Sequence, residues 1–313
     1  MTAERDQLSG AGDGGTVSVA GGVESTYKTR DVESLLDIYF YRPIGYQFAR
    51  LFAVAGFTPN IVSLLGAVVG VVAAHLYFYR DLRLNLIGMG LHVVANTLDN
   101  ADGQLARLTS RGSLQGAIMD GVADYLVFVS VYIHLSLRYI AEGGSAAIWL
   151  LMFAAGISHA VQSMMIDYYR NAYLQLVAGK QSADANSSET VGAAYEATSW
   201  RQFWKKIGLR NYLDYTRRQE RLAPELLRLR LAVKERRPPW LAEEYRARCQ
   251  PMVKWCNGLA ANPRMLVLFA VLLLDQPAWY FVVELTALNL LLFYVIRQHR
   301  VIFRALLKRC ARI

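Results

Sequence analysis

The stretch DNADGQLARLTSRGSLQGAIMDGVAD, residues 99–124, joins two of the most apolar segments of the chain. It contains four acidic residues, which are Asp99, Asp102, Asp120 and Asp124. An ionised carboxylate inside a bilayer is costly, and residues of this kind in membrane-spanning segments usually serve a function. The segments on either side of this stretch therefore set the fold, and the acids indicate where the site lies.

The composition predicts an all-α integral membrane protein. The chain has 313 residues, of which 54% are hydrophobic, and several runs reach the roughly 20 residues that a membrane-spanning helix needs. We predict six spans, the first four at about 60–79, 84–105, 116–139 and 145–169 and the last two within 263–297. A net charge of +9 occurs in nucleic-acid-binding proteins, but in a membrane protein it marks cytoplasmic loops and contact with anionic lipids. We therefore expect no nucleic-acid partner.

The pattern of polar and apolar residues divides the chain into six parts. They are a disordered tail (1–30), an interfacial amphipathic segment (31–57), a catalytic transmembrane core with spans one to four (58–173), a basic helical insertion on the cytoplasmic side (174–262), spans five and six (263–297) and a basic cytoplasmic tail (298–313). Asp275-Gln276-Pro277 breaks the last apolar run. The fifth span is short unless it begins before Pro263, so five spans is the main alternative count.

The segment before the first span mixes aromatic and basic residues. Leu35, Leu36, Tyr39 and Phe40 share one helical face, which predicts a helix lying at the membrane interface, interrupted at Pro43. Thr58 is expected to cap the first span.

The insertion also contains apolar residues at helical spacing, with Trp200, Phe203 and Trp204 beside basic residues such as Lys205. This pattern favours helices that bind anionic lipid headgroups, and the alternative is a small soluble subdomain with a solvated basic face.

The distribution of basic residues predicts the orientation. With the N-terminus inside, only Arg80, Arg83 and Arg138 among the Lys and Arg residues lie outside. This arrangement follows the positive-inside rule. Both termini are then cytoplasmic, and the four aspartates lie at the cytoplasmic ends of the second and third spans.

The spacing of the acids predicts one site. Asp99 and Asp102 are three residues apart and Asp120 and Asp124 are four apart, so each pair lies on one helical face. The connection between the two helices is short, with Gly112 as the expected helix breaker, so the helices are antiparallel neighbours. Converging carboxylates repel one another unless a cation neutralises them. Oxygen-only ligands point to magnesium, manganese or calcium.

Small residues accompany the acids. Gly103, Ala106 and Gly116 remove bulk from the faces that carry the carboxylates, which leaves room for a ligand against the backbone. Arg107 adds a fixed cation suited to a phosphate. Acids, small residues and an arginine together suggest phosphoryl transfer assisted by two metal ions.

Written as D-x2-D-G-x2-A-R-x8-G-x3-D-x3-D, residues 99–124 resemble the signature of the CDP-alcohol phosphotransferase family at every fixed position. The resemblance covers about residues 55–175. It implies six transmembrane helices, usually in a homodimer, with a polar cavity open to the cytoplasm. It also implies the reaction: the pyrophosphate of a CDP-linked alcohol, often CDP-diacylglycerol, is cleaved and CMP is released.

The resemblance assigns roles to single positions. Asp99, Asp102 and Asp120 match the family's metal-binding aspartates, which implies Mg²⁺ or Mn²⁺, with two ions expected. Asp124 matches the aspartate proposed to deprotonate the acceptor hydroxyl, and it is also expected to contact a metal. The nucleotide-binding positions of the family are matched by Gly103, Ala106, Arg107 and Gly116.

The identity of the acceptor alcohol is predicted from weaker resemblances than the metal and nucleotide sites. Tyr168 and Arg170 resemble a tyrosine-x-basic motif that holds an acceptor phosphate, but its usual continuation with small residues and a glutamate is missing. Arg170 either binds a phosphorylated acceptor, such as inositol phosphate or glycerol phosphate, or anchors the helix end. The YRPIGY stretch and the long insertion are similar to those of bacterial members associated with inositol- or sphingolipid-type headgroups. We therefore expect an inositol-type acceptor in a bacterial inner membrane, with glycerol phosphate, serine or a sphingolipid-type acceptor as alternatives.

Other polar residues in the spans are expected to be structural. His159 and Gln162 are predicted to form hydrogen bonds between helices, and Glu284 is an intramembrane acid without an evident partner. Asn96 lies one turn before Asp99, where it either supports the acidic site through a hydrogen bond or only packs between helices.

Two other functions remain open, namely a divalent-cation transporter and a lipid-binding scaffold. A transporter predicts acids near the middle of the membrane and inverted repeats, and neither feature is evident.

Overall fold

The computed structural model of the protein describes residues 31–179, 187–234 and 237–311. The tail predicted to be disordered, 1–30, lies outside them. Within the described ranges all regular structure is helical, which confirms the all-α prediction. The α-helices, in chain order, are α1 (Arg42–Val54), α2 (Pro59–Leu76), α3 (Leu82–Leu108), α4 (Leu114–Ala141), α5 (Ile148–Ala178), α6 (Ser188–Ala197), α7 (Phe203–Leu222), α8 (Pro224–Ala232), α9 (Leu241–Asn257), α10 (Ala261–Leu273), α11 (Ala278–Leu285) and α12 (Ala287–Cys310).

Five helical segments among the described residues are long and apolar enough to cross a membrane, which confirms an integral membrane protein. They are Pro59–Leu76, Gln115–Ala141, Ile148–Val177, Leu241–Leu273 and Ala278–Cys310. The second predicted span forms α3, a helix of 27 residues. This helix is not among the five because polar residues, including Asp99 and Asp102, lower its hydropathy.

The last two predicted spans differ in detail from the structure. α10 has 13 residues, and about 20 Å of helix is too short for a hydrocarbon core of about 30 Å. The helical segment that contains α10 begins at Leu241 in α9 and continues across the short connection at 258–260, although α9 itself is polar. The break at Asp275–Pro277 forms as predicted, and a second break at Thr286 separates α11 from α12. The predicted tail continues α12 as helix to Cys310.

The prediction that Pro43 interrupts the N-terminal helix was wrong. Asp37–Tyr41 forms one turn of π-helix that leads directly into α1, where Pro43 occupies the first turn. Proline lacks an N–H and clashes with the preceding turn, and a wider π-turn is one way to accommodate it. The face with Leu35 and Tyr39 is exposed, as an interfacial helix requires.

The helices around the acidic stretch approach one another at small residues. A Cβ on Gly66 of α2 would lie 3.4 Å from the Leu98 Cβ of α3, and a Cβ on Gly45 of α1 would lie 2.7 Å from Oε1 of Gln104. The Gln104 amide also donates a hydrogen bond of 3.0 Å to the carbonyl of Arg42. α1 and α2 therefore both pack against the half of α3 that carries the aspartates.

The turn from α3 to α4 has a different breaker from the one predicted. Ser110, with φ of 52°, adopts the left-handed conformation expected of Gly112. Two hydrogen bonds close the helix end, from the N–H of Arg111 to the carbonyl of Ala106 and from the N–H of Ser110 to that of Arg107. This is a Schellman motif with serine where glycine is usual.

Replacing Ser110 with glycine should stabilise the protein by about 0.5–1 kcal/mol, because glycine adopts positive φ without the steric cost that serine bears. The unfolding midpoint in detergent measures the change. The matched control is Gly112→Ala, since a Cβ at Gly112 meets no atom within 4 Å. A destabilised Ser110→Gly variant would contradict this description of the turn.

Three turns that we predicted to share the outer side of the membrane lie together. Arg80 follows α2 and Arg138 ends α4, and both form ion pairs with Asp275, which follows α10. Burial opposes ionisation of Asp275, but the hydrogen bonds from Arg80 and Arg138 outweigh it and hold the pKa of Asp275 below its ordinary value. The aspartates of residues 99–124 lie at the opposite ends of α3 and α4.

Candidate active site

α3 and α4 bring three of the four predicted aspartates together. One carboxylate oxygen from each of Asp99, Asp102 and Asp120 lies within 4.8 Å of the others. Asp124, one turn further along α4, is exposed and lies outside this cluster. The facing pairs predicted from helical spacing thus become a group of three with a fourth acid beside it.

Asp102 is the most deeply placed acid of the cluster, with 5% of its surface exposed. The hydroxyl of Ser63, on α2, donates a hydrogen bond to its Oδ2 atom and also lies 3.1 Å from the carbonyl oxygen of Pro59. Ser63 was not predicted as a site residue. Its sequence signal is weak: it is a polar residue near the start of an apolar helix.

The donor set fits a hard divalent cation. All three groups are carboxylates, and oxygen ligands of this kind favour Mg²⁺, Mn²⁺ or Ca²⁺ over zinc. Three acids this close, one of them buried, repel one another unless positive charge is supplied. Asp99, Asp102 and Asp120 are therefore the residues that could hold the metal.

The predicted small residues lie on the same two helices as this cluster. The Arg107 guanidinium folds back over Gly103, so that a Cβ on Gly103 would lie 3.4 Å from Arg107 Nη2. The Nε atom of Arg107 is buried and has no hydrogen-bond partner among the described residues. A Cβ on Gly116 would lie 3.3 Å from the Ser113 hydroxyl, which caps α4 by accepting from the Gly116 N–H. Ala106 lies on the same helix, half-buried, one residue before Arg107.

A cavity of about 190 Å³ lies beside the cluster and includes Asp99 in its lining. Its wall is built from four parts of the chain: residues 32–42, α3, α5 and the junction of α9 with α10. Asn96 lines it from α3 and also donates a hydrogen bond to the Met265 sulfur. Sequence reasoning identified the α3 side of this cavity but not the N-terminal and α9–α10 sides.

The two residues predicted to bind the acceptor lie in different surroundings. Arg170 lines the cavity, where its Nη2 donates to Asn257 Oδ1 and its Nε is buried without a hydrogen-bond partner among the described residues. Tyr168 is buried in the hydrophobic core with its ring 5.7 Å from the Arg230 guanidinium, and it is not part of the cavity lining. The geometry therefore favours Arg170 over Tyr168 as an acceptor contact.

The insertion packs against the same ends of α4 and α5. Tyr215 of α7 donates a hydrogen bond of 3.1 Å to Asp167, another cavity residue, and Gln219 donates one of 3.0 Å to the carbonyl of Met164. A Cβ on Gly208 would lie 3.8 Å from Ile118. α7 therefore adjoins both the acidic cluster and the cavity.

A family model matches part of the chain. The model described as CDP-alcohol phosphatidyltransferase matches residues 57–182, which contain α2 to α4, all four aspartates and Arg170. A comparison with curated proteins found no match. The family resemblance predicted from residues 99–124 is thereby confirmed. It indicates phosphatidyl transfer from a CDP-alcohol, and the Asp99, Asp102 and Asp120 cluster agrees with the family's general dependence on a divalent metal.

Proposed function

We propose that this chain, whose residues 57–182 match the CDP-alcohol phosphatidyltransferase family, is a membrane-embedded enzyme of phospholipid synthesis. It transfers the phosphatidyl group of CDP-diacylglycerol to a hydroxyl of a polar alcohol, inositol or inositol phosphate, and releases CMP. The observation that carries the proposal is the convergence of Asp99, Asp102 and Asp120 beside a polar cavity.

The carboxylates of Asp99, Asp102, Asp120 and Asp124 would hold Mg²⁺ or Mn²⁺, with two ions proposed. Bound there, the metal supplies positive charge that neutralises the pyrophosphate and the departing CMP. The Ser63 hydroxyl orients the Asp102 carboxylate through its hydrogen bond.

We assign nucleotide binding to Gly103, Ala106, Arg107 and Gly116. The small residues keep the helix surfaces open, and the unpartnered Nε–H of Arg107 is a donor for a phosphate oxygen.

Asp124 is the proposed general base. Its exposed carboxylate lies one helical turn beyond Asp120 on α4, where we assign it the role of accepting the proton of the acceptor hydroxyl. The acceptor oxygen forms a bond to the phosphorus of the phosphatidyl group, and the phosphorus–oxygen bond to CMP breaks with its electron pair on CMP. Arg170 and the other cavity residues hold the acceptor during this step.

The short connections between α2, α3 and α4 support a count of six spans. α3 is joined to α2 and α4 by short turns and packs along α2, so if its two neighbours cross the membrane α3 runs through it as well. We propose that the six spans lie in a bacterial inner membrane, with both termini and the aspartates on the cytoplasmic side and the chain as a homodimer. The ion pairs of Arg80 and Arg138 with Asp275 would then lie outside.

The start of α7 is proposed to contact anionic lipid. Trp200 is 59% and Trp204 82% exposed, and residues 197–213 contain three exposed basic side chains, Arg201, Lys205 and Arg210, and no acid. Exposed aromatic and basic residues together are typical of an interfacial helix.

Replacing both Trp200 and Trp204 with phenylalanine should lower the tryptophan quenching that brominated anionic lipids cause in reconstituted protein, while quenching of the exposed Trp279 in the last span remains. Trp240→Phe, a change at a tryptophan near the start of α9, is the matched control. Equal loss of quenching in the two variants would contradict lipid contact at the start of α7.

The proposed reaction is tested with purified protein in vesicles containing CDP-diacylglycerol, a divalent metal and one acceptor at a time. CMP and the phosphatidyl product should form in equal amounts with at least one acceptor. Mass spectrometry of the lipid and chromatography of the nucleotide measure the two products. CMP with phosphatidic acid alone would indicate hydrolysis instead, and folded protein that forms no CMP with any acceptor would contradict the proposal.

A further inference from the structure

We propose that the acceptor is an uncharged polyol, selected by a cavity wall of which half lies outside the family-matched residues. This inference rests on the proposed function and narrows its acceptor from an inositol-type alcohol, phosphorylated or not, to an unphosphorylated polyhydroxyl compound.

The position of the cavity makes it the place for the acceptor. Asp99 belongs both to the acidic cluster and to the cavity lining, so a molecule in the cavity lies next to the reacting phosphate. At about 190 Å³ the cavity is smaller than the roughly 300 Å³ at which pockets for drug-sized ligands begin. It suits a small headgroup alcohol and excludes the diacylglycerol part of the donor.

Half of the lining residues come from segments that the family model does not match. Glu33, Asp37 and Arg42 lie before residue 57, and Asn262 lies after residue 182. The Asn262 amide donates hydrogen bonds of 2.9 Å to Asp37 Oδ1 and 3.0 Å to the Ser34 hydroxyl. These bonds join the N-terminal segment to the start of α10, so hydrogen bonds within the protein hold this part of the wall together.

The charges of the lining oppose an anionic acceptor. Arg42 is engaged by Glu33 in a two-pronged ion pair, with Nη2 2.9 Å from Oε1 and Nε 3.3 Å from Oε2. With Asp99 assigned to the metal site, the remaining ionisable groups are Asp37 and Asp167 against Arg170. A phosphate held by Arg170 would therefore lie against two carboxylates, which disfavours it.

The uncharged lining fits hydroxyl groups. Asn96, Asn100, Asn171 and Asn262 supply four side-chain amides. Asn262 already uses both amide hydrogens, and Asn96 and Asn100 each donate one hydrogen bond within the protein. The amide oxygens and the remaining amide hydrogens therefore give this lining both acceptors and donors. Adjacent hydroxyls of a polyol also donate and accept at once, so this wall can satisfy several of them together. A site built in this way rejects an analogue that leaves its buried polar groups unpaired.

The first arm of the test compares acceptors in the vesicle assay, using myo-inositol, inositol phosphate, glycerol phosphate and serine. We expect kcat/KM for myo-inositol to exceed that for each phosphorylated acceptor by at least about tenfold. A preference for a phosphorylated acceptor or for serine would overturn the polyol inference while leaving the proposed transfer intact. Absence of CMP with all four acceptors would instead count against the transfer itself.

The second arm uses Asp167→Asn, which removes one carboxylate charge with little change of shape. We expect the ratio of kcat/KM for inositol phosphate to that for inositol to rise by about tenfold, since one of the two opposing charges is gone. Asp214→Asn, at an exposed acid of α7 outside the cavity lining, should leave the ratio unchanged. Equal ratios in the two variants would overturn the charge argument.

The third arm measures binding without turnover. Tritiated myo-inositol should bind the purified protein in the absence of CDP-diacylglycerol, and Asn262→Ala and Asn171→Ala should each weaken that binding. Asn171 serves as a second variant because it lines the cavity from α5 and does not connect the N-terminal segment to α10. Unchanged binding in both folded variants would show that the polyol lies elsewhere.

Discussion

Replacing Arg264 with alanine is expected to destabilise the protein by about 3–5 kcal/mol, because it leaves Glu284 charged and buried without its partner. Both oxygens of Glu284 lie 2.7 Å from Arg264 Nη1, and the two side chains are 1% and 4% exposed. Arg264 Nη2 also donates to Gln162, whose amide in turn donates to Asn289. One substitution therefore disturbs a network that joins α5, α10, α11 and α12.

A double variant is the control, because it distinguishes removal of the whole Arg264–Glu284 ion pair from removal of one partner. The double variant Arg264→Met with Glu284→Leu keeps similar volumes and removes both charges, so it should be much closer to wild type than either single change. Equilibrium unfolding in detergent measures all four proteins. An Arg264→Ala variant whose free energy of unfolding lies within about 1 kcal/mol of the wild-type value would contradict the buried network. Exposed ion pairs contribute no more than about that amount to stability.

Replacing Asp102 with asparagine is expected to lower the rate of CMP formation by about 10³ or more, as the loss of a charged group at a phosphoryl-transfer site does. The change is nearly isosteric, and it removes the most buried charge of the Asp99, Asp102 and Asp120 cluster. Ser63→Ala acts only through the orientation of Asp102, so its loss should be about 10- to 100-fold.

The matched control for Asp102→Asn is again Asp214→Asn, which should keep the wild-type rate. Initial rates of CMP release at saturating donor are measured for all variants, with size-exclusion profiles to show that each is folded. Asp102→Asn protein that remains folded and retains at least a tenth of the wild-type rate would contradict a metal site built on this carboxylate.

Local spacing is what made the acidic site predictable. Asp99, Asp102 and Asp120 belong to two adjacent helices joined by a turn of five residues, 109–113, so helical periodicity alone places them near one another. The polarity of His159 and Gln162 within an apolar span predicted interhelical hydrogen bonds, which the structure confirms through Tyr132 and Asn289.

Contacts between distant residues could not be predicted in this way. Asn262 and Asp37 are 225 residues apart, and no periodicity pairs a residue at the end of the insertion with one before the first span. The partner of Glu284 was missed because Arg264 lies on the other side of the break at Asp275–Pro277. Pairing of this kind depends on how whole helices pack, which a single sequence does not encode as a local pattern.

The sequence pattern also did not predict which residue of the α3–α4 turn adopts a positive φ. Gly112 is the residue that turn chemistry favours for positive φ, yet the chain places Ser110 in that conformation. The closing hydrogen bonds of α3 decide which residue occupies that position, so the helix end, and not the glycine, sets the turn.

The central claim is that the facing carboxylates of α3 and α4 hold a divalent cation next to a CDP-alcohol. Titration of the purified protein with Mn²⁺ in the presence of CDP, followed by electron paramagnetic resonance of the free ion, tests it directly. Wild-type protein and Asp214→Asn should bind Mn²⁺ alike, and Asp102→Asn and Asp120→Asn should each lose that binding. Equal Mn²⁺ binding by wild type and both cluster variants would contradict the claim.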